Sequence, residues 1–196
     1  MRNVVLSMVV PLDGYIEGEN GDISWHVWDS DMQDYMADFL DTADTLFYGR
    51  RAYELMLKYW PGAEHDITMS ETDRAFARKM NELNKIVFSR TLTEVEWKAQ
   101  LVKENAVQKV NELKKLAGKD MILFGGAEIA ATFMTHNLLD EYRLIINPVV
   151  LGKGKSLFNG TDQHFKLTKM ETFRCGNVLL VYKPDKHHAA GRSGEV

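Results

Sequence analysis

Short apolar runs alternate with segments of helical periodicity over the first two thirds of the chain. In the helical segments apolar residues recur three and four positions apart, as in Met32, Met36 and Phe39, so that each helix has one apolar face. Strands are predicted at residues 2–10, 45–48, 86–88 and 121–124, and helices from Asp29 or Ser30, from about Arg51 to before Pro61, through 76–83, through 106–117 and after Gly126. This alternation predicts an α/β protein with helices packed on the faces of a sheet.

The pattern changes after Asp140. Further strands are predicted at residues 142–150, 165–173 and 178–182, with no helical segment between them. Neighbouring strands without a helical crossover usually pair antiparallel. The sequence therefore predicts a mixed, mostly parallel sheet with flanking helices and an antiparallel C-terminal strand pair. An uncovered edge of that pair favours a homodimer.

The composition fits one globular domain, predicted at residues 1–183. The 196 residues are 45% hydrophobic and 27% charged, which is typical of a chain that buries a single core. A net charge of −4 gives no general attraction to nucleic acid or to anionic lipid, so neither is expected as a partner. Residues 184–196, with His187 and His188, lack apolar anchors and are predicted to form a disordered tail, and no metal site is expected.

The N-terminal apolar run and the single cysteine indicate the cellular compartment to be expected. Residues 4–12 superficially resemble a signal peptide, but Pro11 interrupts the run, Asp13 and Gly14 close it, and no small-residue cleavage site follows. Cys175 is the one cysteine in the sequence, which fits a reducing compartment. We therefore expect a cytoplasmic protein whose first apolar run is a strand.

Three predicted strand ends carry glycine or arginine. Gly49-Arg50-Arg51 and Gly125-Gly126 each stand between a strand and a helix, and Arg90 follows a third strand. Free N–H groups and the positive end of the helix dipole favour an anion at such a junction. A tight turn with solvated arginines explains any single junction equally well. The repetition favours a phosphate-binding crevice at the carboxyl ends of the strands, although the sequence has no Rossmann or NTPase glycine fingerprint.

Several segments together resemble the dihydrofolate-reductase-like superfamily. They are Leu12 to Ile16 with Gly18, Asn20 and Trp25, similar to the first strand and active-site loop; Leu46 to Glu54, similar to the cofactor-binding turn; Phe88-Ser89-Arg90, similar to the strand end at the adenosine 2′-phosphate; and Phe124 to Ile129, similar to the Gly-Gly pyrophosphate site. The stretch from Asp140 to Phe158 is similar to the riboflavin-biosynthesis reductase branch, the RibD C-terminal domain.

The resemblance implies a dihydrofolate-reductase-like three-layer fold, a homodimer, and an NADPH-dependent reductase that acts on a small pterin-, pyrimidine- or riboflavin-precursor-like heterocycle. Ala52 stands where threonine is usual, Ala130 where folate reductases have an aromatic residue, and Tyr15 where the riboflavin branch usually has lysine. The resemblance therefore supports the fold more strongly than it supports the identity of the substrate. The implied cofactor contacts are Val9, Ile16, Gly49, Arg50, Arg51, Ser89, Arg90, Gly125, Gly126, Ala127, Glu128 and Ile129.

A proton donor is the remaining requirement of such a reductase. Folate reductases place a carboxylate at the start of the helix after the active-site tryptophan, and the resemblance points to Asp31 with Trp25, and to Asp29 as second choice. The aspartates of this helix also fit an ordinary solvated acidic face. Two other functions stay open: a non-catalytic nucleotide-binding module, and a reductase of unrelated carbonyl or nitro compounds.

Overall fold

The structure is a computed structural model of the chain, and it describes residues 1–185. Strands and helices are mixed along the chain as far as α5, and only strands follow. The strands are β1 Val4–Pro11, β2 Tyr15–Glu17, β3 Ala43–Gly49, β4 Asn84–Phe88, β5 Ala99–Val102, β6 Asp120–Leu123, β7 Glu141–Asn147, β8 Lys155–Ser156, β9 Phe165–Thr172 and β10 Val178–Pro184. The helices are α1 Ser30–Asp41, α2 Arg50–Ala63, α3 Glu71–Glu82, α4 Ala106–Lys115 and α5 Ala127–Thr135.

Eight strands form one sheet in the order β5-β4-β3-β6-β1-β7-β10-β9. The six strands from β5 to β7 pair in parallel. β10 pairs antiparallel with both β7 and β9. The predicted mixed, mostly parallel sheet with an antiparallel C-terminal pair is thus confirmed. β2 and β8 form a separate small antiparallel sheet.

Helices cover both faces of the sheet and give the protein three layers. Successive residues of β1 point to opposite faces, so Leu6 packs in one core cluster and Val5 in the other. The cluster with Leu6 includes Phe133 of α5, and the cluster with Val5 includes Phe39 of α1 and Phe76 of α3. Because β1 is buried along almost its whole length, its continuous apolar run is that of a central parallel strand.

Several element boundaries differ from those predicted. α2 continues through Pro61 to Ala63 instead of ending before the proline. Pro61 has no N–H to bond to the carbonyl oxygen four residues earlier, so the helix loses one hydrogen bond near its end and stops two residues later. β5 was not predicted, because it is a partly exposed edge strand of four residues, and it follows two residues with left-handed backbone, Trp97 and Lys98.

The end of the chain extends beyond the predicted domain boundary. β10 runs to Pro184, and the Asp185 N–H donates to the His164 carbonyl oxygen at 2.8 Å. His187, His188 and the rest of the predicted tail lie outside the described residues. Within residues 1–185, none of the helices is both long and apolar enough to cross a membrane.

Candidate functional site

Strand ends and helix starts meet at one edge of the sheet. β3 ends at Gly49 immediately before α2, and β6 is followed by Gly125 and Gly126 before α5. Because β3, β4, β5 and β6 are parallel neighbours, their carboxyl ends lie at the same edge, where ligands of α/β proteins usually bind. Two adjoining cavities occupy this edge, and both are lined by Arg51, Gly126 and Ala127.

The two glycine junctions are in direct backbone contact. The Gly49 N–H donates to the Gly125 carbonyl oxygen at 2.9 Å. A Cβ atom on Gly126 would lie 2.9 Å from the Gly49 Cα, and φ at Gly126 is +101°. Gly126 is therefore required both by its backbone conformation and by the lack of space for a side chain. The contact holds the start of α2 against the start of α5.

The smaller cavity, of about 550 Å³, is bounded by the first residues of three helices. α2, α4 and α5 begin after Gly49, Asn105 and Gly126, and none of these residues makes a side-chain capping hydrogen bond. α1 and α3 begin elsewhere and are capped by Asp29 and Ser70. Uncapped N–H groups of three helices thus lie at this cavity, which makes its wall electropositive and suited to phosphate.

All three predicted arginines line the smaller cavity. Arg50 forms an ion pair with Glu54 at 3.2 Å, and Arg51 forms one with Glu17 at 3.5 Å. Arg90 has no salt-bridge partner within residues 1–185. Exposed ion pairs of this kind contribute little free energy. Arg50 and Arg51 can therefore exchange a carboxylate for a phosphate without a large loss.

Ser89, Glu128 and Ile129 were also predicted as cofactor contacts, and they line the same cavity. The Ser89 hydroxyl oxygen accepts hydrogen bonds from the N–H groups of Thr91 and Leu92, at 3.2 and 3.1 Å, so it holds the turn after β4. The Glu128 carboxylate is 93% exposed and pairs with a lysine on β8 at 3.3 Å. Since that carboxylate would repel phosphate, the backbone N–H is what Glu128 offers to an anion.

The larger cavity, of about 1120 Å³, opens beside the carboxyl end of β1. Val9, Ile16 and Gly125, all predicted cofactor contacts, line it. Ile16 belongs to β2, which pairs with β8 through Tyr15 and Ser156. The segment after β1 is therefore anchored by a strand pair at the cavity wall.

The predicted catalytic pair lines neither cavity. Two nitrogens of the Arg174 guanidinium contact the two Asp31 carboxylate oxygens at 2.6 and 2.5 Å, and the Trp25 Nε1 donates to the Asp22 carbonyl oxygen at 3.1 Å. The hydrogen bonds from Arg174 hold the pKa of Asp31 below its usual value, so this carboxyl is ionised at neutral pH. These positions do not support the predicted roles of Asp31 and Trp25.

Asp29, the second choice as proton donor, has a structural position. Its carboxylate accepts hydrogen bonds from the N–H groups of Met32 and Cys175, at 2.9 and 2.8 Å. The first of these bonds is the largest cause of the lowered pKa of Asp29. Asp29 therefore caps α1 and links it to the turn between β9 and β10, and it is also ionised at neutral pH.

His26 lines the larger cavity and was not singled out from the sequence. Its Nε2 atom is buried and has no hydrogen-bond partner among the described residues. Burial lowers the pKa of His26, and the nearby Asp22 carboxylate opposes this effect. The ring is thus neutral at pH 7 and can accept or donate one hydrogen bond. Its position directly after Trp25 was the available sequence signal.

Sequence comparison decides the family. The model of the RibD C-terminal domain matches residues 2–181. The chain belongs to the RibD C-terminal domain family. This RibD C-terminal domain is 40% identical over 183 residues to the Bacillus subtilis (strain 168) protein YyaP, an alignment that covers 92% of the chain and 94% of YyaP. It is 27% identical over 182 residues to YwjB of the same organism, covering 92% and 97%. Both relatives are described as uncharacterized.

Solved structures with a similar fold include a putative protein of riboflavin biosynthesis and a named reductase. A putative riboflavin biosynthesis protein from Shewanella sp. PV-4 has a TM-score of 0.70 and 23% identity, covering 95% of this RibD C-terminal domain and 100% of that chain. A diaminohydroxyphosphoribosylaminopyrimidine deaminase/5-amino-6-(5-phosphoribosylamino)uracil reductase from Thermotoga maritima has a TM-score of 0.65 and 18% identity, covering 94% and 57%. At these identities the comparison establishes the fold, which is the predicted dihydrofolate-reductase-like fold.

Proposed function

We propose that this RibD C-terminal domain is an NADPH-dependent reductase that transfers hydride to a small heterocyclic substrate. One observation carries the proposal: three helix N-termini without side-chain caps meet at a cavity bordered by arginines, and this cavity adjoins a larger, mostly apolar one. The first arrangement suits the phosphates of a dinucleotide. The second suits a flat ring and a substrate placed against it.

The residues of the site fit NADPH, which would supply the hydride. The N–H groups at the starts of α2 and α5 would bind the pyrophosphate, and Gly126 lets these two helix starts lie in contact. Arg50 and Arg90 would bind the 2′-phosphate through charge-assisted hydrogen bonds. Val9 and Ile16 would contact the nicotinamide in the larger cavity. The reducing cytoplasm suits both the cofactor and the lone cysteine.

The substrate needs a proton as well as a hydride. Asp31 is not assigned this role, because its carboxylate is paired with Arg174 outside the cavities. His26 is a titratable side chain that lines the larger cavity, and its ring is neutral at pH 7. We therefore propose that His26 hydrogen-bonds the substrate atom that receives the proton, and that it orients this atom.

A non-catalytic nucleotide-binding module is the second candidate. The position of Asp31 favours it, since a module of this kind would keep the phosphate cavity and lack a carboxylate donor at the substrate. The two functions differ in turnover. A reductase oxidises NADPH above background with some member of a pterin and pyrimidine panel, or with carbonyl or nitro compounds, whereas a module binds NADPH and oxidises none.

The cofactor assignment is tested by measuring the dissociation constants of NADPH and NADH at fixed ionic strength. The wild type is expected to prefer NADPH. Arg50→Ala and Arg90→Ala should weaken NADPH binding by roughly ten- to a hundredfold and leave NADH binding nearly unchanged, since a hydrogen bond to a charged group contributes about 1.5–3 kcal/mol. If Arg50 instead contacts the pyrophosphate and Arg51 the 2′-phosphate, Arg50→Ala weakens both cofactors.

Arg78→Ala is the matched control. The Arg78 side chain is 42% exposed and paired with a glutamate on α3, and that of Arg50 is 43% exposed and paired with a glutamate on α2. Arg78 lines neither cavity, so its loss should not affect either cofactor. Equal affinities of the wild type for NADPH and NADH would show that no 2′-phosphate site exists here.

A further inference from the structure

The larger cavity extends from the sheet edge into the space between three helices. Its inner wall consists of Met36 on α1, Met56 and Trp60 on α2, and Phe76 and Met80 on α3. Met36, Phe76 and Met80 are buried, and Met56 and Trp60 are partly buried against the same core cluster. The Trp60 Nε1 already donates to the Met56 Sδ at 3.0 Å. This inner wall therefore offers sulfur and ring carbon atoms and no charge.

The charged residues that line the cavity belong to other elements or to exposed positions. Lys58, on α2, is exposed. The remaining charges lie near β2 and β8 or at the start of α2, and most are already paired. The pairs are Glu17 with Arg51 at 3.5 Å, Glu19 with Lys153 at 3.7 Å, Glu54 with Arg50 at 3.2 Å and Lys155 with Glu128 at 3.3 Å.

Uncharged polar side chains also line the cavity, among them Ser7 of β1 and His26. Ser7 is buried, and its hydroxyl can donate one hydrogen bond and accept others. The His26 Nε2 is buried without a partner among residues 1–185. Because burial lowers the pKa of His26, this ring adds a hydrogen-bonding group and no charge at neutral pH.

We infer that the substrate end of this cavity takes a flat, uncharged, mostly apolar ring compound without a phosphate group, held by the methionine and aromatic wall and by hydrogen bonds to Ser7 and His26. The inference deepens the proposed function and rests on it, since it assigns the substrate class of the same site. A phosphate placed against the methionine and aromatic inner wall would lose its hydration and meet no cation there. The Thermotoga maritima neighbour is named as a reductase of a compound that carries a phosphoribosyl group.

The test uses two probes that differ only in a phosphate, 1-naphthol and 1-naphthyl phosphate. Their binding to the full chain is measured by titration calorimetry at neutral pH, with and without NADPH. 1-Naphthol should bind at least roughly tenfold more tightly, which corresponds to about 1.4 kcal/mol. Met56→Lys should weaken 1-naphthol binding by a similar factor, because it places a charge in the inner wall.

Met69→Lys is the matched control, since Met69 is half-buried like Met56 and lies outside both cavities. It should leave 1-naphthol binding unchanged. If Met56→Lys does not fold, Leu55→Lys replaces it, because Leu55 lines the cavity and is already 44% exposed. Ser7→Ala with His26→Ala should weaken 1-naphthol binding further, by removing the two hydrogen-bonding groups.

Three results would overturn the inference. They are equal or tighter binding of 1-naphthyl phosphate while NADPH occupies the smaller phosphate cavity, above all if Lys58→Ala abolishes it; no binding of either probe at millimolar concentration; and equal effects of Met56→Lys and Met69→Lys. The NADPH titration separates this from the proposed function. If the protein prefers 1-naphthol but does not bind NADPH, the reductase proposal is refuted and the assignment of the larger cavity stands. If it binds NADPH but prefers 1-naphthyl phosphate, the assignment of the larger cavity is refuted and the reductase proposal stands.

Discussion

Gly126→Ala tests whether the contact between the two glycine junctions organises the phosphate cavity. The new methyl group would lie 2.9 Å from the Gly49 Cα and 3.0 Å from the Ile129 Cγ2, at a residue with φ of +101°. Both neighbours sit at the starts of α2 and α5, whose N–H groups form the cavity wall. The substitution should therefore lower stability and cofactor affinity together.

Two contributions lower the stability and a third partly offsets them. Alanine with this backbone conformation costs about 1–3 kcal/mol, and the overpacking against Gly49 adds about 1–3 kcal/mol. The reduced freedom of the unfolded chain offsets about 0.4–1 kcal/mol. The expected net decrease in the free energy of unfolding is about 3 kcal/mol, the sum of mid-range values from these principles.

Two further glycine variants separate the two causes. Gly160→Ala introduces a left-handed alanine, with φ of +70°, but the methyl group meets nothing within 4 Å. Gly49→Ala introduces the close contact without the backbone strain, because φ is −79° and the methyl group would lie 3.2 Å from the Gly126 Cα. Each should lose only about 1 kcal/mol, since each carries only one of the two penalties.

Urea denaturation of the variants gives the free energies, and NADPH titration gives the affinities. Gly126→Ala and Gly49→Ala should weaken NADPH binding, whereas Gly160→Ala should not, because Gly160 lines neither cavity. The reasoning fails if Gly126→Ala is no less stable than Gly160→Ala. Unchanged NADPH affinity in a destabilised Gly126→Ala would separate the contact from the cofactor site.

Three other predictions concern side chains outside the cavities. Asp31→Asn should leave turnover within about twofold of the wild type, because the group touches neither cavity; a large loss measured with any accepted substrate would restore the donor role. Burial, with a smaller effect of Lys98, lowers the pKa of Lys85 to about 7 from 10.5. The unfolded chain then binds more protons between these values, so stability in urea should rise from pH 7 to about 10 in the wild type relative to Lys85→Met; parallel pH profiles would contradict this. Leu167 and Met170 lie opposite Tyr182 and Leu180, hence on one face of the edge strand β9, and are 47% and 63% exposed. Light scattering should show a dimer that Leu167→Glu with Met170→Glu converts to a monomer, and a monomeric wild type would refute it.

Local signals in the sequence determined most of the elements. The helical spacing of Met32, Met36 and Phe39 predicted α1, and all three residues are buried. The glycines at 49, 125 and 126 predicted junctions that bind anions, and the structure places them at the two cavities. These features depend on a few consecutive residues, since periodicity reports which face is buried and a glycine reports where the backbone needs freedom.

Only the tertiary structure decided which side chains meet. Asp31 and Arg174 are 143 positions apart and form an ion pair, and the Asp31 carboxylate, which the family resemblance implied as the proton donor, lines neither cavity. The apolar wall of Met36, Met56 and Met80 likewise joins three helices. Periodicity showed that Met36 faces inward, but whether an inward face closes into solid core or lines a cavity depends on how far apart the packed helices lie.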